Sequence, residues 1–402
     1  MRSTVKLHLA EKQKEIYFLV QITSFRRFVM PDVRFGLTIS MYPAKEMVKA
    51  GILADKYGFD SVWAPDHLTD LPPSGDKIEP WTVLSAIGAQ TKHVMLSTCV
   101  TDTQRRHPAV TAHAVATLDE LTDGRGAVAI GAGEVMNIKP FGLPWEDAAG
   151  RTERLGEAVQ IIKLLWGSTR EKPVNFAGKY YTLNQAWLDQ KSVQKPHPPL
   201  YVGSLGGRRT LEIVGKYGDG WFPWLNTLET FTRRSEVIRD AAKQAGRRFE
   251  DIERVTLLFT AATTDDKLQK RAMDALKPEI VVLVGRSVLK EMGFEVAIEG
   301  SDYKYQKTLP TEEKAKIAAD AAKDMPYEIV SEFMTVGGAD QFIERIDKFI
   351  KAGARHITVR DVIGQYLYGS LPKGEETLKF FSKKVIPYFR GTGENRKRLK
   401  RC

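Results

Sequence analysis

From Val33 onward the chain alternates short, continuous apolar runs with longer stretches whose apolar positions recur every three to four residues. The runs at 33–38, 59–64, 94–99, 126–131, 200–203, 220–223, 255–262 and 356–360 read as strands. Helical spacing fills 43–57, 81–91, 109–121, 147–166 and 208–217. Gly58 falls where a helix C-terminus favours glycine, and Pro108 where a helix begins. Strands alternating with helices imply parallel pairing through right-handed crossovers. Eight such strands suit a closed α/β barrel, a (β/α)8 TIM barrel, better than an open doubly wound sheet. No GxGxxG follows the first strand, which weakens the open alternative.

Two segments break the alternation. Residues 172–184 (core VNFAGKYYTL) read as a hairpin turning at Gly178 and Lys179. Residues 275–327 form a helix-rich insertion before the last strand, placed to close over the barrel mouth as a lid. A single barrel over 31–390 is therefore expected. Residues 1–30 form an extension outside the fold, with a second start at Met30, and 391–402 form a basic tail.

Charge changes the picture little. The net charge is +10, but residues 1–30 carry +4 and residues 390–402 carry +5, so the body is nearly neutral. A solvated basic end is the reading favoured over a nucleic-acid partner. No stretch approaches the eighteen apolar residues of a membrane span. The two cysteines, Cys99 and Cys402, lie far apart, which fits a reducing cytoplasm. No His/Cys/Asp/Glu cluster has metal-ligand spacing and no serine nucleophile elbow appears, so no metal is expected.

In a β/α barrel the active site lies at the C-terminal strand ends. Four of those ends carry chemistry here: Ala64-Pro65-Asp66-His67, Ser97-Thr98-Cys99-Val100-Thr101, Gly131-Ala132-Gly133-Glu134, and Gly203-Ser204-Leu205-Gly206-Gly207. His67 titrates near neutrality and could move a proton; the plainer reading is a hydrogen-bonded loop histidine. Glu134 follows glycines that let backbone approach a planar ligand, and is a second acid/base candidate or else a helix cap. Gly206 and Gly207, ahead of a helix that opens on Arg208 and Arg209, form an anion site or a plain tight turn. His93, His113 and His356 read as structural, and His107 as a helix start.

At these strand ends the chain resembles the bacterial luciferase-like superfamily, in its F420-dependent branch. The carrying motifs are FDSVWAPDHL (59–68), LSTCVT (96–101), PAVTAHAVATLDELTDGR (108–125), VAIGAGEVMN (128–137), FAGKYYTL (176–183) and 201–221. Their order and spacing resemble the secondary alcohol dehydrogenases and glucose-6-phosphate dehydrogenases of that branch, and the methylenetetrahydromethanopterin reductases. The resemblance implies a luciferase-type barrel with a non-prolyl cis peptide at Cys99–Val100 supporting a deazaflavin ring, and the coenzyme phosphate at Gly206 and Gly207. It implies that His67 and Glu134 flank the substrate carbon during hydride transfer to or from the deazaflavin C5. It further implies cofactor contacts from Asp66, Cys99, Val100, Thr101, Ala132, Gly133, Asn137, Ser204 and Leu205.

The departures bear on substrate. Leu71 stands where the family has a tryptophan over the substrate. Thr227 stands where the sugar-phosphate enzymes place a phosphate-binding lysine, and Thr38 where the pterin reductases carry a glutamate. Thr38, Leu71 and Trp221 are the expected pocket residues. The expected activity is oxidation of a small alcohol or reduction of its carbonyl with coenzyme F420. Pterin reduction, an FMN-dependent monooxygenase, and a cofactor-binding protein without turnover are the alternatives. A homodimer through the helix at 109–121 is expected from the resemblance; plain barrel packing accounts for that helix equally well.

Overall fold

The computed structural model describes residues 33–40, 42–70, 77–297 and 311–391. The expectations for residues 1–30, for Leu71 and for 392–402 lie outside them.

The strands are β1 (Arg34–Thr38), β2 (Ser61–Ala64), β3 (Met95–Thr98), β4 (Thr101–Asp102), β5 (Val128–Gly131), β6 (Val174–Ala177), β7 (Thr182–Ala186), β8 (Leu200–Ser204), β9 (Gly220–Pro223), β10 (Glu253–Ala262), β11 (Met334–Gly337) and β12 (His356–Asp361). The main sheet runs β3-β2-β1-β12-β10-β9-β8-β5-β4 in parallel pairing. Its two ends meet twice. Leu96 of β3 bridges Gly126 ahead of β5, and Thr101 and Asp102 of β4 pair with Ile130 and Gly131 of β5. β3 and β4 are thus one barrel strand interrupted at Cys99 and Val100, and the circuit is an eight-stranded α/β barrel wrapped by helices. Most of its strands are buried along their whole length, as expected when one face packs inside the barrel and the other against helices.

Two layers of core follow from the two-residue period of a strand. One layer, between sheet and helices, holds Leu37, Val62, Leu96, Ile130, Val202 and Trp221. The other fills the barrel with Trp63, Tyr201, Phe222, Ala129 and Val255. Trp63 sits at its centre, 5.1 Å from Tyr201 and 4.7 Å from Phe222 between ring centroids. Below them a polar layer is closed by pairing. Arg34 ion-pairs Glu253 and donates to Tyr201 Oη at 2.8 Å; Trp63 Nε1 donates to Ser61 Oγ at 2.7 Å, and that hydroxyl meets His356 Nε2 at 2.7 Å. His356 is therefore structural.

The hairpin β6–β7 forms where the apolar arms predict it. The carboxylate of Glu157 accepts the amides of Lys179, Tyr180 and Tyr181 at its turn. The insertion departs from its expected limits. A helix runs unbroken from Asp266 to Leu283 through Pro278, so the excursion starts earlier than Ala275; helices Arg286–Glu291, Glu312–Ala322 and Tyr327–Phe333 follow. It returns through β11, which was not expected as a strand. The ten-residue β10 meets β9 only at Glu253 and Arg254; at its far end, Phe259–Ala262, that same edge pairs with β11 instead.

Candidate active site

The strand ends β2, β3/β4, β5, β8 and β9, together with residues 282–287 of the insertion, surround a cavity of about 670 Å³. That is the size of a pocket for a cofactor or drug-sized ligand. Of the residues expected there, Asp66, His67, Cys99, Val100, Ala132, Gly133, Glu134, Asn137, Ser204, Leu205 and Gly207 line it.

Its floor is built at the break in the third barrel strand. The Cys99–Val100 peptide is cis. The Val100 side chain lies across the neighbouring strands, over Gly131 and Gly203. A Cβ at either glycine would come within 2.8 and 2.7 Å of Val100 methyls, so glycine at both positions leaves that side chain its place. Gly133 adopts φ +81°, a conformation that favours glycine, and turns the chain toward Glu134.

Three side chains meet at the wall. Asn137 Oδ1 accepts the backbone amides of Leu68 and Thr69 at 2.7 and 3.0 Å, which fixes its amide orientation. Its Nδ2 then donates to His67 Nδ1 at 3.0 Å and reaches Glu134 Oε2 at 3.4 Å. His67 Nδ1 lies 3.5 Å from Glu134 Oε2. As acceptor from Asn137, Nδ1 is unprotonated in the neutral ring, and the proton sits on Nε2. Burial lowers the His67 pKa below its usual range, ahead of the neighbouring charges. Burial also pushes Glu134 up to about 8, helped by Asp70 and Asp102. Near neutrality the site therefore presents a neutral imidazole beside a protonated carboxylic acid. Glu134 makes no capping hydrogen bond to the short helix Val135–Asn137, so the helix-cap alternative does not hold.

Asp66 is fastened rather than free. Its Oδ2 accepts from Thr101 Oγ1 at 2.7 Å, and Arg105 pairs with its Oδ1 at 3.1 Å. Arg105 also binds Asp102 and the Asp66 carbonyl, tying the ends of β2 and β4 together. At the opposite end, Ser204 Oγ accepts the Gly206 amide at 2.9 Å; Gly206 adopts φ +106°. Gly207 precedes helix Arg208–Tyr217 without a side-chain cap, leaving a helix N-terminus with open amides, the arrangement that binds a phosphate.

Four expected residues stand elsewhere than on the cavity wall. Trp221 points outward and is fully buried, stacked 5.2 Å from Phe231 in the helix layer. Strand alternation places its neighbour Phe222 inward instead, and Phe222 and Trp224 line the cavity. Thr38 is fully buried at the top of β1 and covered by Gln365, whose Nε2 donates to its carbonyl at 2.8 Å. Thr101 acts from behind, through Asp66, and Gly206 shapes the loop without forming part of the wall. The sequence reading missed Asp102, Arg105, Arg151, Phe222, Trp224 and the insertion residues 282–287. The run TDTQRRH directly after the third strand was the available signal for the first two. The insertion residues carried none, because only tertiary packing brings them to the mouth.

The chain matches the luciferase-like monooxygenase family over residues 26–356 and belongs to it. Among its relatives, the F420-dependent glucose-6-phosphate dehydrogenase of Nakamurella multipartita is 29% identical over 343 residues, 81% of this chain and 90% of that one. The phthiodiolone/phenolphthiodiolone dimycocerosates ketoreductase of Mycobacterium tuberculosis is 31% identical over 366 residues, 82% and 92% of the two chains. An F420-dependent secondary alcohol dehydrogenase, solved with an F420–acetone adduct, superposes with a TM-score of 0.72 at 26% identity, covering 89% of this chain and 99% of that one.

Proposed function

We propose that this protein is a coenzyme F420-dependent oxidoreductase interconverting a ketone and a secondary alcohol. The carrying observation is the His67–Asn137–Glu134 cluster at the wall of a cavity floored by Val100. The residues present fit the coenzyme. Gly131 and Gly203 leave room for a flat apolar floor, and the Ser204–Gly207 turn offers open amides for a phosphate. When bound, the deazaflavin supplies a two-electron hydride donor or acceptor.

The protein's own groups handle the proton. In reduction the Nε2 proton of His67 passes to the substrate carbonyl oxygen while the neutral acid of Glu134, 3.5 Å from Nδ1, reprotonates the imidazole there and becomes a carboxylate; in oxidation both transfers run in reverse. Glu134, kept neutral by burial, adds no second negative charge where a reduced, anionic ring would lie. Asn137 holds both in register. Val100, Phe222 and Trp224 limit water at the reacting centre.

The substrate reading follows from the wall. Phe222, Trp224, Val282, Leu283 and Val284 give it an apolar side. Thr227 caps helix Leu228–Gln244 by accepting the Thr230 amide at 3.1 Å, and it does not line the cavity. The apolar side supports a ketone with apolar substituents, and Thr227 supplies no charge at the position where the sugar-phosphate enzymes carry a lysine. Titration of the purified protein with F420 and with FMN, followed by assay of aliphatic ketones, sugar phosphates and methylene pterins with F420, tests the proposal. F420 binding with turnover of the ketones is expected. FMN binding in preference to F420, or turnover confined to a phosphorylated sugar, overturns it.

A further inference from the structure

The coenzyme's seat uses one part of the barrel mouth: Val100 over Gly131 and Gly203, and the turn after β8. The ends of β12 and β1 carry a cation that the chemistry above does not use. Alternation along β12 sends Ile357 and Val359 out to the helix layer and turns His356, Thr358 and Arg360 inward. The register Leu37↔Val359 sets Arg360 beside Thr38 at the catalytic end. Arg360 is 3% exposed, and among the described residues its guanidinium makes neither a hydrogen bond nor an ion pair. Its Nε, Thr38 Oγ1 and Gln365 Oε1 are all buried without partners. Arg125 and Arg254 also pair with no carboxylate, but main-chain carbonyls accept from both.

Three aromatic rings hold this guanidinium: Trp224 at 4.9 Å, Tyr366 at 5.2 Å and Phe259 at 5.6 Å. They fix the charge in place and supply no counter-charge. The acids that act on it are engaged elsewhere. Glu279 Oε2 accepts from Tyr366 Oη at 2.5 Å, and Asp70 pairs with Lys77 at 2.8 Å. Burial raises the Glu279 pKa, which favours its neutral form. The charge is felt at the cavity. Trp224, which stacks on Arg360, lines it; at Cys99 in the floor, burial pushes the thiol up to about 12 while Arg360 acts against it. β8 stands three strands from β12 in the barrel order, so a phosphate at the turn after β8 leaves Arg360 unanswered. A buried cation without an acceptor is costly, and a ligand anion relieves that cost. We propose that Arg360 makes the substrate side of the cavity selective for anions, so that the ketone or alcohol it takes carries a carboxylate on its apolar body. This rests on the ketone reading above and names the substrate class within it.

The first test is equilibrium binding to the coenzyme-free full chain, read by calorimetry, with pentanoate and pentanamide as probes of equal size. Pentanoate should bind at least ~10-fold tighter, as for one unit charge acting through a protein interior. Arg360→Met should bring the two affinities together, and Arg360→Lys should keep part of the preference. Arg360→Met should also leave the melting temperature unchanged or raise it, since it removes a buried charge that has no acceptor. Glu279→Gln should keep or widen the preference. In turnover with F420, levulinate should exceed methyl propyl ketone in kcat/KM by a similar factor, and only in proteins that retain a cation at this position. Should Arg360→Met fail to fold, Arg360→Gln carries the comparison.

Equal affinity for the two probes in the native protein overturns the proposal without recourse to any variant. A preference that survives in Arg360→Met also overturns it, and assigns the anion to Arg151 or Arg286 on the cavity wall. Loss of the preference in Glu279→Gln as well as in Arg360→Met points to distortion of the cluster and overturns it too. Carboxylate selectivity without turnover of either ketone removes the ketone reading and leaves the anion subsite standing.

Discussion

Glu134 and His67 are both driven toward their neutral forms by the same burial, and the consequences run in opposite directions along the pH axis. For Glu134 the acid form persists up to about 8. Carbonyl reduction, which needs the neutral pair, should hold through neutrality and decline as pH rises through that value. In Glu134→Gln this alkaline limb should vanish from the kcat/KM profile; a limb that survives assigns it to another group. The ligand-free protein gives an independent reading. A carboxyl whose folded pKa lies above its ordinary value of 4.5 binds more protons folded than unfolded, so its contribution to stability is lost as pH rises from 4.5 toward 8. Glu134→Gln should flatten that slope in thermal melts. His67→Ala should cut turnover at least ~10²-fold with coenzyme affinity little changed, as for loss of a positioned proton donor; a normal rate would remove His67 from the chemistry. At this scale barrel geometry pointed to His67 and Glu134, because it fixes where strand ends lie; Asn137 came only through the family motif, and its hydrogen bonds to both were not foreseen. The unpaired state of Arg360 was not legible, since nothing in a sequence tells a neutralised arginine from an unneutralised one.

Among elements, the interrupted third barrel strand does the most for the site, and it depends on its neighbours. Val100 occupies space that β5 and β8 leave by carrying Gly131 and Gly203. Gly203→Ala should push Val100 toward the cavity and weaken binding of the deazaflavin riboside, measurable by fluorescence titration, with little change in melting temperature. Unchanged affinity would mean that Val100 is no part of the ring's seat. The strands themselves were legible as apolar runs, yet such runs are silent on which side chain faces which way. Trp221 and Phe222 are equally apolar neighbours, and only the register of β9 decides that the first meets Phe231 and the second the cavity. β11 was missed for a related reason. Its four residues, Met334–Gly337, follow a helix without a break, and its strand character comes from the free edge of β10.

For the molecule as a whole, the polar layer at the bottom of the barrel joins strands remote in sequence. Arg34 of β1, Ser61 of β2, Tyr201 of β8, Glu253 of β10 and His356 of β12 meet there. Burial acts against the Glu253 carboxylate, but Arg34 and His356 together hold its pKa well below the ordinary range. A depressed carboxyl contributes stability that is present above its unfolded pKa near 4.5 and is lost as pH falls below it. Glu253→Gln, which leaves Arg34 uncompensated, should cost about 3–5 kcal/mol in denaturant unfolding. It should also blunt the acid transition; a loss under ~1 kcal/mol would show that the layer is not coupled in this way. Global architecture was the most legible level, because eight alternations of period-two and helical pattern admit few closed arrangements. Least legible was how the insertion meets the barrel.

That meeting ties the cavity wall to the barrel. β9 and β10 are zipped only at Glu253 and Arg254, and further up β11 takes over the edge of β10. The excursion that leaves at the end of β10 thus comes home on the very strand it departed from. Its two moorings stand side by side, and Leu276, Ile280, Val330 and Phe333 of the excursion share one buried cluster with Leu257 and Phe259 of β10. A single strand therefore anchors both the barrel and the wall at Val282–Arg286, and a substitution that frays the upper half of β10 should loosen the two together.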